Sequence, residues 1–219
     1  MTEEQEKEFL ERITVNEQSS IRIGGETVLR FDPFHLKEAA HDADVIFITH
    51  AHYDHFSPDD LSKAAKPGTV YVFPASMKED IAKLGIPDER QISLTPGEET
   101  EVRGIGVRAV PAYNRLKPFH PKGKGWLGYL VTVDGTTVYI AGDTDATAEA
   151  EAVRCTVCLL PIGGTYTMDA AAAARLADTI RPRFVIPTHY GTVVGGTDAY
   201  AHFAEKVRNA EVVEKLIFS

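Results

Sequence analysis

The stretch Thr49-His50-Ala51-His52-Tyr53-Asp54-His55 places three imidazoles and a carboxylate within six residues. Neutral imidazole and carboxylate are the usual ligands of zinc, and they serve manganese, iron and nickel as well. In an extended segment, residues two apart project to the same side, so His50 and His52 can reach one ion together. Asp54 and His55 follow once the chain has turned, and could serve a second ion beside the first. Four ligand-type groups crowded this closely need a reason to be together, so the expectation is a metal site and not a histidine-rich surface loop.

Other strand-like runs end in the same residue types. Val138-Tyr139-Ile140-Ala141 leads into Gly142-Asp143, where a glycine lets the carboxylate of Asp143 approach its neighbours closely. Phe184-Val185-Ile186-Pro187-Thr188 leads into His189-Tyr190-Gly191, and Val107-Arg108-Ala109-Val110-Pro111 into a long polar loop that contains Asn114 and His120. Loops beyond strand ends are where a rigid scaffold presents chemistry.

The elements that must position these groups follow from hydrophobic periodicity and turn chemistry. A short charged helix is expected to end near Arg12, followed by strands over 13–15, 19–23 and 27–31, with Gly24-Gly25 as a hairpin turn and Asp32-Pro33-Phe34 as a break. The apolar run at 44–49 is a buried strand that delivers the histidine cluster. Ser57 and Pro58 fit the N-cap and first position of a helix. A strand at 71–73, a helix over 76–84 stopped by Gly85, and strands at 92–94, 99–103 and 107–110 come next. Asp134-Gly135 suits a tight hairpin between strands 126–133 and 136–140. Strands at 155–160, 183–187 and 212–218 alternate with helices at 169–180 and 198–208. Strands come first and helices become denser later, which two stacked sheets covered by helices would accommodate: an α/β fold, a four-layer αββα sandwich of two mixed β-sheets.

Composition narrows the function classes. The chain has 219 residues, fitting one domain over 1–219, and its 43% hydrophobic content is that of a globular protein. A formal net charge of -9 argues against coating nucleic acid. No run approaches the roughly 20 apolar residues of a membrane span, and the first residues are acidic and polar, so a cytoplasmic location is the expectation. Cys155 and Cys158 lie on a strand entering the core, which suits buried structural thiols better than a redox pair opening a helix. His35, His41 and His202 fit solvent-facing or capping roles, and Asp145 and Asp169 a turn and a helix N-terminus. Gly163-Gly164-Thr165 fits a tight turn better than an anion site. No heptad seam appears, which leaves a homo-oligomer open.

With these residues in view, the sequence resembles the metallo-β-lactamase superfamily. The motif His50-x-His52-x-Asp54-His55 is its signature, and Gly142-Asp143-Thr144 and His189 match its bridging aspartate and last histidine. Asp32-Pro33-Phe34, the 162–168 stretch and His189-Tyr190-Gly191 resemble the branch of metal-dependent hydrolases related to L-ascorbate-6-phosphate lactonase and N-acylphosphatidylethanolamine phospholipase D. The resemblance implies two divalent ions, zinc first and manganese, nickel or iron as alternatives. His50 and His52 would hold one, Asp54, His55 and His189 the other, and Asp143 both. A third histidine for the first ion falls to His120, because the usual position after the 107–111 strand reads Ala112-Tyr113-Asn114; Asn114, a poor zinc ligand, suits hydrogen bonding to water or substrate.

Two ions so placed would share a hydroxide that attacks an ester, lactone or phosphodiester of a small molecule, with Asp54 and Asp143 as the catalytic carboxylates. The loop from Arg115 to Lys124 carries four cations. It is either solvated or flanks the ions, and in the second case Lys117 would draw an anionic, phosphorylated substrate. Asn114, Lys117 and Tyr190 are the expected substrate contacts. The alternative is a non-hydrolytic metalloprotein, a metal-binding partner domain or a redox-active di-iron relative; His52 disfavours the latter, since the redox relatives typically carry glutamate there.

Overall fold

The computed structural model describes residues 2–215. Helix α1 (Glu3–Glu11) begins in a capping box between Thr2 and Gln5, which satisfies two of the donors a helix start leaves unpaired. Strands β1 (Ile13–Val15), β2 (Ile21–Ile23) and β3 (Leu29–Phe31) form an antiparallel meander. β4 (Ala43–Phe47), β5 (Ala65–Pro74) and β6 (Gln91–Leu94) then add in parallel, connected through α2 (Pro58–Ala64) and α3 (Lys78–Ala82). The result is a six-stranded sheet in chain order.

The second sheet has seven strands in the order β13-β12-β11-β10-β9-β8-β7. β7 (Glu99–Val102), β8 (Ile105–Pro111), β9 (Leu127–Val133) and β10 (Thr136–Ile140) are antiparallel neighbours. β11 (Val157–Pro161), β12 (Phe184–Thr188) and β13 (Glu211–Val212) continue it in parallel, with α4 (Ala148–Glu151), α5 (Ala170–Ile180) and α6 (Ala199–Lys206) in the connections. Both sheets are therefore mixed.

The uninterrupted apolar run of β4 is explained by burial on both faces. Val45 and Phe47 belong to the core between the sheets, whereas Ile46 and Ile48 pack with Leu61, Ala64, Met77 and Ile81 beneath α2 and α3. Phe31 stacks on Phe47 with ring centroids 4.6 Å apart, and the Tyr129 ring of the opposite sheet lies 5.1 Å from Phe47. Tyr129 also donates a 2.7 Å hydrogen bond to the carbonyl of Ile48, tying the two sheets together next to the histidine cluster. On the far side, the alanine face of α5 and Phe203 of α6 cover the second sheet. Helices, sheet, sheet and helices form the four-layer sandwich expected from the sequence.

Several boundaries differ from expectation for physical reasons. β5 begins at Ala65, well before Tyr71, because its first residues are partly exposed and pair with β4 across a register shift. The helix expected over 76–84 is a 3-10 turn (Ala75–Met77) followed by α3, and Gly85 then adopts a φ of 66°. The short α4, capped by Thr147, has too few residues to show a helical period. Of the closing strand expected over 212–218, the pairing observed is Glu211–Val212, and residues 216–218 lie outside the described residues. Cys155 and Cys158 are free thiols, with Cys158 fully buried and its pKa pushed well up by that burial, as suits a structural role. Among the described residues no helix is long and apolar enough to cross a membrane.

Candidate metal centre

The ends of β4, β10 and β12 and the loop between β8 and β9 meet at one edge of the sandwich. His50 Nε2, His52 Nδ1, His120 Nε2 and Asp143 form one group of ligand atoms, and Asp54, His55 and His189 form another, with the atoms of each group within 4.8 Å of one another. In the first, His50 Nε2 lies 3.0 Å from His52 Nδ1 and 3.3 Å from His120 Nε2. In the second, Asp54 Oδ2 lies 3.2 Å from His189 Nε2 and 3.5 Å from His55 Nε2.

Asp143 touches both groups. Its Oδ2 is 3.3 Å from His120 Nε2 and 3.3 Å from His189 Nε2, and its Oδ1 is 3.4 Å from His55 Nε2. Gly142 makes this approach feasible. It has a φ of 63°, and a Cβ there would sit 3.0 Å from the Leu127 carbonyl and 3.2 Å from the Thr49 side chain. His189 itself adopts a φ of 56°, a conformation that costs a non-glycine residue energy and is held by a 2.9 Å hydrogen bond from its amide to the Gln18 carbonyl.

The ring nitrogens of His50, His55 and His120 that face away from the cluster are anchored, which fixes their tautomers. His55 Nδ1 donates to Asp32 Oδ2 at 2.7 Å, leaving Nε2 as a lone pair. Asp32 also accepts from the Thr49 amide at 2.8 Å and the Thr49 hydroxyl at 2.6 Å. With its proton committed to Asp32, the Thr49 oxygen accepts from His50 Nδ1 at 2.9 Å. Asn114 Oδ1 accepts from His120 Nδ1 at 3.0 Å. The Trp126 ring packs 5.0, 4.9 and 5.5 Å from the rings of His50, His52 and His120.

The electrostatics suit cations. Burial pushes His50 well below the ordinary histidine pKa, and lowers His52 too, so both favour the neutral, ligating form. Burial opposes the charge on Asp143, yet His189 and His55 outweigh it and hold the carboxyl well below its usual range. Asp54 behaves alike, with the His189 hydrogen bond prevailing over burial. His55 is driven well above the usual histidine value: burial disfavours its charge, but the carboxylates of Asp143 and Asp32 overcome it. Asp32, which His55 Nδ1 contacts, is itself raised by burial. Positive charge is what this pocket favours, and divalent ions would supply it.

A direct test of fit comes from orphaned polar atoms. His55 Nε2 and Asp143 Oδ1 are buried, face each other at 3.4 Å and make no well-formed hydrogen bond among the described residues, an arrangement that an ion taken by both would satisfy. Imidazole and carboxylate converging without a water-accessible partner match a metal-ligand set.

A cavity of about 210 Å³ opens over the cluster, lined by His52, Tyr53, Asp54, Phe119, Asp143, Tyr166, His189, Val193 and Val194. All seven residues expected as ligands are thus gathered here. The expected substrate contacts are not. Tyr190 is 0% exposed in the main apolar core, because its neighbour His189 occupies the cluster side of the chain. Lys117 bonds to Asp145 at 2.9 Å and to the Thr167 carbonyl, and borders a separate hollow with Arg115 and Met168. Asn114 serves His120 and donates at 3.0 Å to the Tyr166 carbonyl. Asp32 was not among the expected site residues. Its one signal in sequence is the Asp-Pro break directly after a buried strand. His35, His41 and His202 stand outside the cluster, His35 against Glu17, His41 against the Ala65 carbonyl and His202 near Asp198. Asp169 caps α5 and Asp145 accepts from the Arg115 amide, as expected.

The family model described as a beta-lactamase superfamily domain matches residues 12–189. A UPF0173 metal-dependent hydrolase of Methanosphaerula palustris is 30% identical over 216 residues, covering 92% of this chain and 95% of its own. Another, from Nitratidesulfovibrio vulgaris strain DP4, is 33% identical over 219 residues, covering 90% and 87%. Among solved structures, Igni18, described as a novel metallo hydrolase from Ignicoccus hospitalis, aligns with a TM-score of 0.75 at 27% identity, covering 93% of this chain and 94% of that one. The chain therefore belongs to the metallo-β-lactamase superfamily. Within it, the chain is a metal-dependent hydrolase.

Proposed function

We propose that this hydrolase works through two divalent ions and cleaves an ester, lactone or phosphodiester bond. His50, His52 and His120 would hold one ion, Asp54, His55 and His189 the other, and the Asp143 carboxylate lies within reach of both groups. The observation that carries this reading is the position of Asp143, whose two oxygens lie within 3.4 Å of histidines from both groups. When bound, such ions lower the pKa of a shared water towards neutrality and stabilise negative charge developing on the scissile group. Zinc suits this donor set, and manganese, iron and nickel are served by the same ligand types.

The protein's own residues do the rest. Asp32, Thr49 and Asn114 hold three imidazoles with the ligating nitrogen aimed inward. Asp54, kept ionised beside the cavity, accepts a proton or hydrogen bond from the attacking water and passes it to the leaving oxygen. The apolar walls exclude bulk water and strengthen these interactions.

The test is to strip the protein with a chelator, restore zinc, manganese or nickel, and assay bis(p-nitrophenyl) phosphate and simple lactones. His52→Ala and Asp143→Ala are expected to abolish turnover while the chain stays folded. Undiminished turnover in both variants would refute the two-ion reading.

A further inference from the structure

Connections between strands usually run over the surface, where water serves their polar groups. The one between β1 and β2 does not: Glu17, Gln18, Ser19 and Ser20 are all buried. Gln18 also adopts a φ of 49°, a left-handed conformation that costs a non-glycine residue energy. Its carbonyl accepts from the His189 amide at 2.9 Å, and its side-chain Nε2 donates to Thr192 Oγ1 at 2.8 Å. On the other side of the turn, Asn16 Nδ2 donates to the Phe34 and His35 carbonyls at 2.9 and 3.1 Å, and Ser20 Oγ accepts from the Phe34 amide at 3.1 Å. The turn is thus wedged between the segment that carries Asp32 and the segment that carries His189.

The buried histidines of the centre are His50, His55, His120 and His189. Nδ1 of the first three has its acceptor in Thr49, Asp32 and Asn114 respectively. His52 is half-exposed, where water can serve its outer nitrogen. His189 is the exception. Its Nε2 faces Asp54 at 3.2 Å and Asp143 at 3.3 Å, while its Nδ1 is buried and makes no hydrogen bond among the described residues. A neutral imidazole that ligates through Nε2 carries its proton on Nδ1, so this atom is a buried donor. Gln18 Oε1 is a buried acceptor in the same condition, the unused half of an amide whose nitrogen is committed to Thr192. An unmet donor and an unmet acceptor are each costly when buried. Here they sit on two residues already joined through their backbones.

We propose that Gln18 is the positioning residue of His189: its carbonyl sets the backbone, and its Oε1 accepts the hydrogen bond from Nδ1 when Nε2 holds an ion. The claim rests on the two-ion reading for the ion that His189 serves, and it is indifferent to the bond the enzyme cleaves. Gln18 touches neither ion nor substrate and acts through the imidazole. Holding the ring this way fixes its tautomer and raises the basicity of the ligating nitrogen, as Asp32 does for His55.

The test titrates the full chain with zinc against a chromophoric chelator. Gln18→Leu keeps the bulk and the backbone bond but removes the acceptor, and is expected to weaken the ion held by Asp54, His55 and His189 by about 10- to 100-fold, leaving the ion of His50, His52 and His120 near its wild-type affinity. Gln18→Glu restores an acceptor, with the Thr192 hydroxyl turning to donate, and recovers most of the loss. Thr192→Val cuts the side-chain tether to Gln18 but spares Oε1, and is expected to bind both ions as wild type does. Proton–nitrogen correlation spectra of the zinc-loaded protein read the bond without turnover. They should show slowly exchanging ring N–H signals from His50, His55 and His120 and a fourth from His189, and Gln18→Leu should lose the fourth alone. Should Gln18→Leu fail to fold, the wild-type spectrum and Gln18→Glu decide. Unchanged affinities in Gln18→Leu, equal weakening of both ions, a matching loss in Thr192→Val, or a wild-type spectrum lacking the fourth signal would each overturn the assignment. A wild type that takes a single zinc yet shows the fourth signal would refute the two-ion reading and support the role of Gln18.

Discussion

Replacing Asp32 by asparagine exchanges one oxygen for an NH2 in a buried site with no room for compensation. Asp32 accepts three hydrogen bonds, from the Thr49 amide, the Thr49 hydroxyl and His55 Nδ1. An asparagine whose oxygen keeps the Thr49 amide must point its NH2 at His55 Nδ1. The ring then accepts there and carries its proton on Nε2, the atom that faces Asp143 and Asp54. To ligate an ion, His55 must move that proton back to Nδ1 and set a donor against a donor. A buried unsatisfied donor costs about 1–3 kcal/mol, and each 1.4 kcal/mol is roughly tenfold in affinity. The penalty falls on the ion-bound state, so Asp32→Asn is expected to weaken the ion held by Asp54, His55 and His189 by about 10- to 100-fold. The ion held by His50, His52 and His120 should weaken less, through the Thr49 hydroxyl alone. Competition against a chromophoric chelator resolves the two steps, and circular dichroism confirms that the variant is folded. Two affinities equal to those of the wild type would refute the argument that Asp32 sets the His55 tautomer.

Other perturbations follow from the same geometry. Asn114→Ala removes the acceptor for His120 Nδ1 and is expected to weaken the other ion by about 10- to 100-fold in the same titration. Gly142→Ala places a Cβ against the Leu127 carbonyl at a left-handed φ, which should lower stability by about 1–2 kcal/mol in a denaturant titration and reduce metal content as Asp143 shifts. Asp42 accepts from Arg30 at 2.7 Å and Arg22 at 2.8 Å; burial opposes its charge, but these arginines outweigh it and hold its pKa below the usual value. A lowered folded pKa gives stability that is present above the unfolded carboxyl value and lost as pH falls through the folded one. Asp42→Asn should therefore lower Tm by about 2–4 °C at neutral pH, corresponding to about 1 kcal/mol, and the gap to wild type should close in acid.

The parts of the centre legible in the sequence were those packed closely along the chain. His50, His52, Asp54 and His55 fall within one strand end and turn, and Asp143 and His189 each follow an apolar run that announces the strand presenting them. His120 was readable as the histidine of the long loop, although its six-residue separation from Asn114 hid that the two side chains bond to each other. Asp32 was hidden because its role is defined by a contact across 23 residues, and an Asp-Pro pair after a strand reads equally well as a plain turn. Lys117 and Tyr190 show the converse. Charge and ring character nominate a residue for a substrate site, but only packing decides which way it faces, and here one is engaged by Asp145 and the other sealed in the core. In the fold, strands buried on both faces were readable as continuous apolar runs, whereas the exposed start of β5 and the four-residue α4 left no pattern to read.

The account stands on two ions sharing Asp143. Anomalous diffraction at the zinc edge, from crystals grown with that ion, tests it most directly. The expected map has two peaks, one among His50, His52 and His120 and one among Asp54, His55 and His189, each with an oxygen of Asp143 in reach. A single peak at full occupancy, or two peaks of which one lacks Asp143, would contradict it.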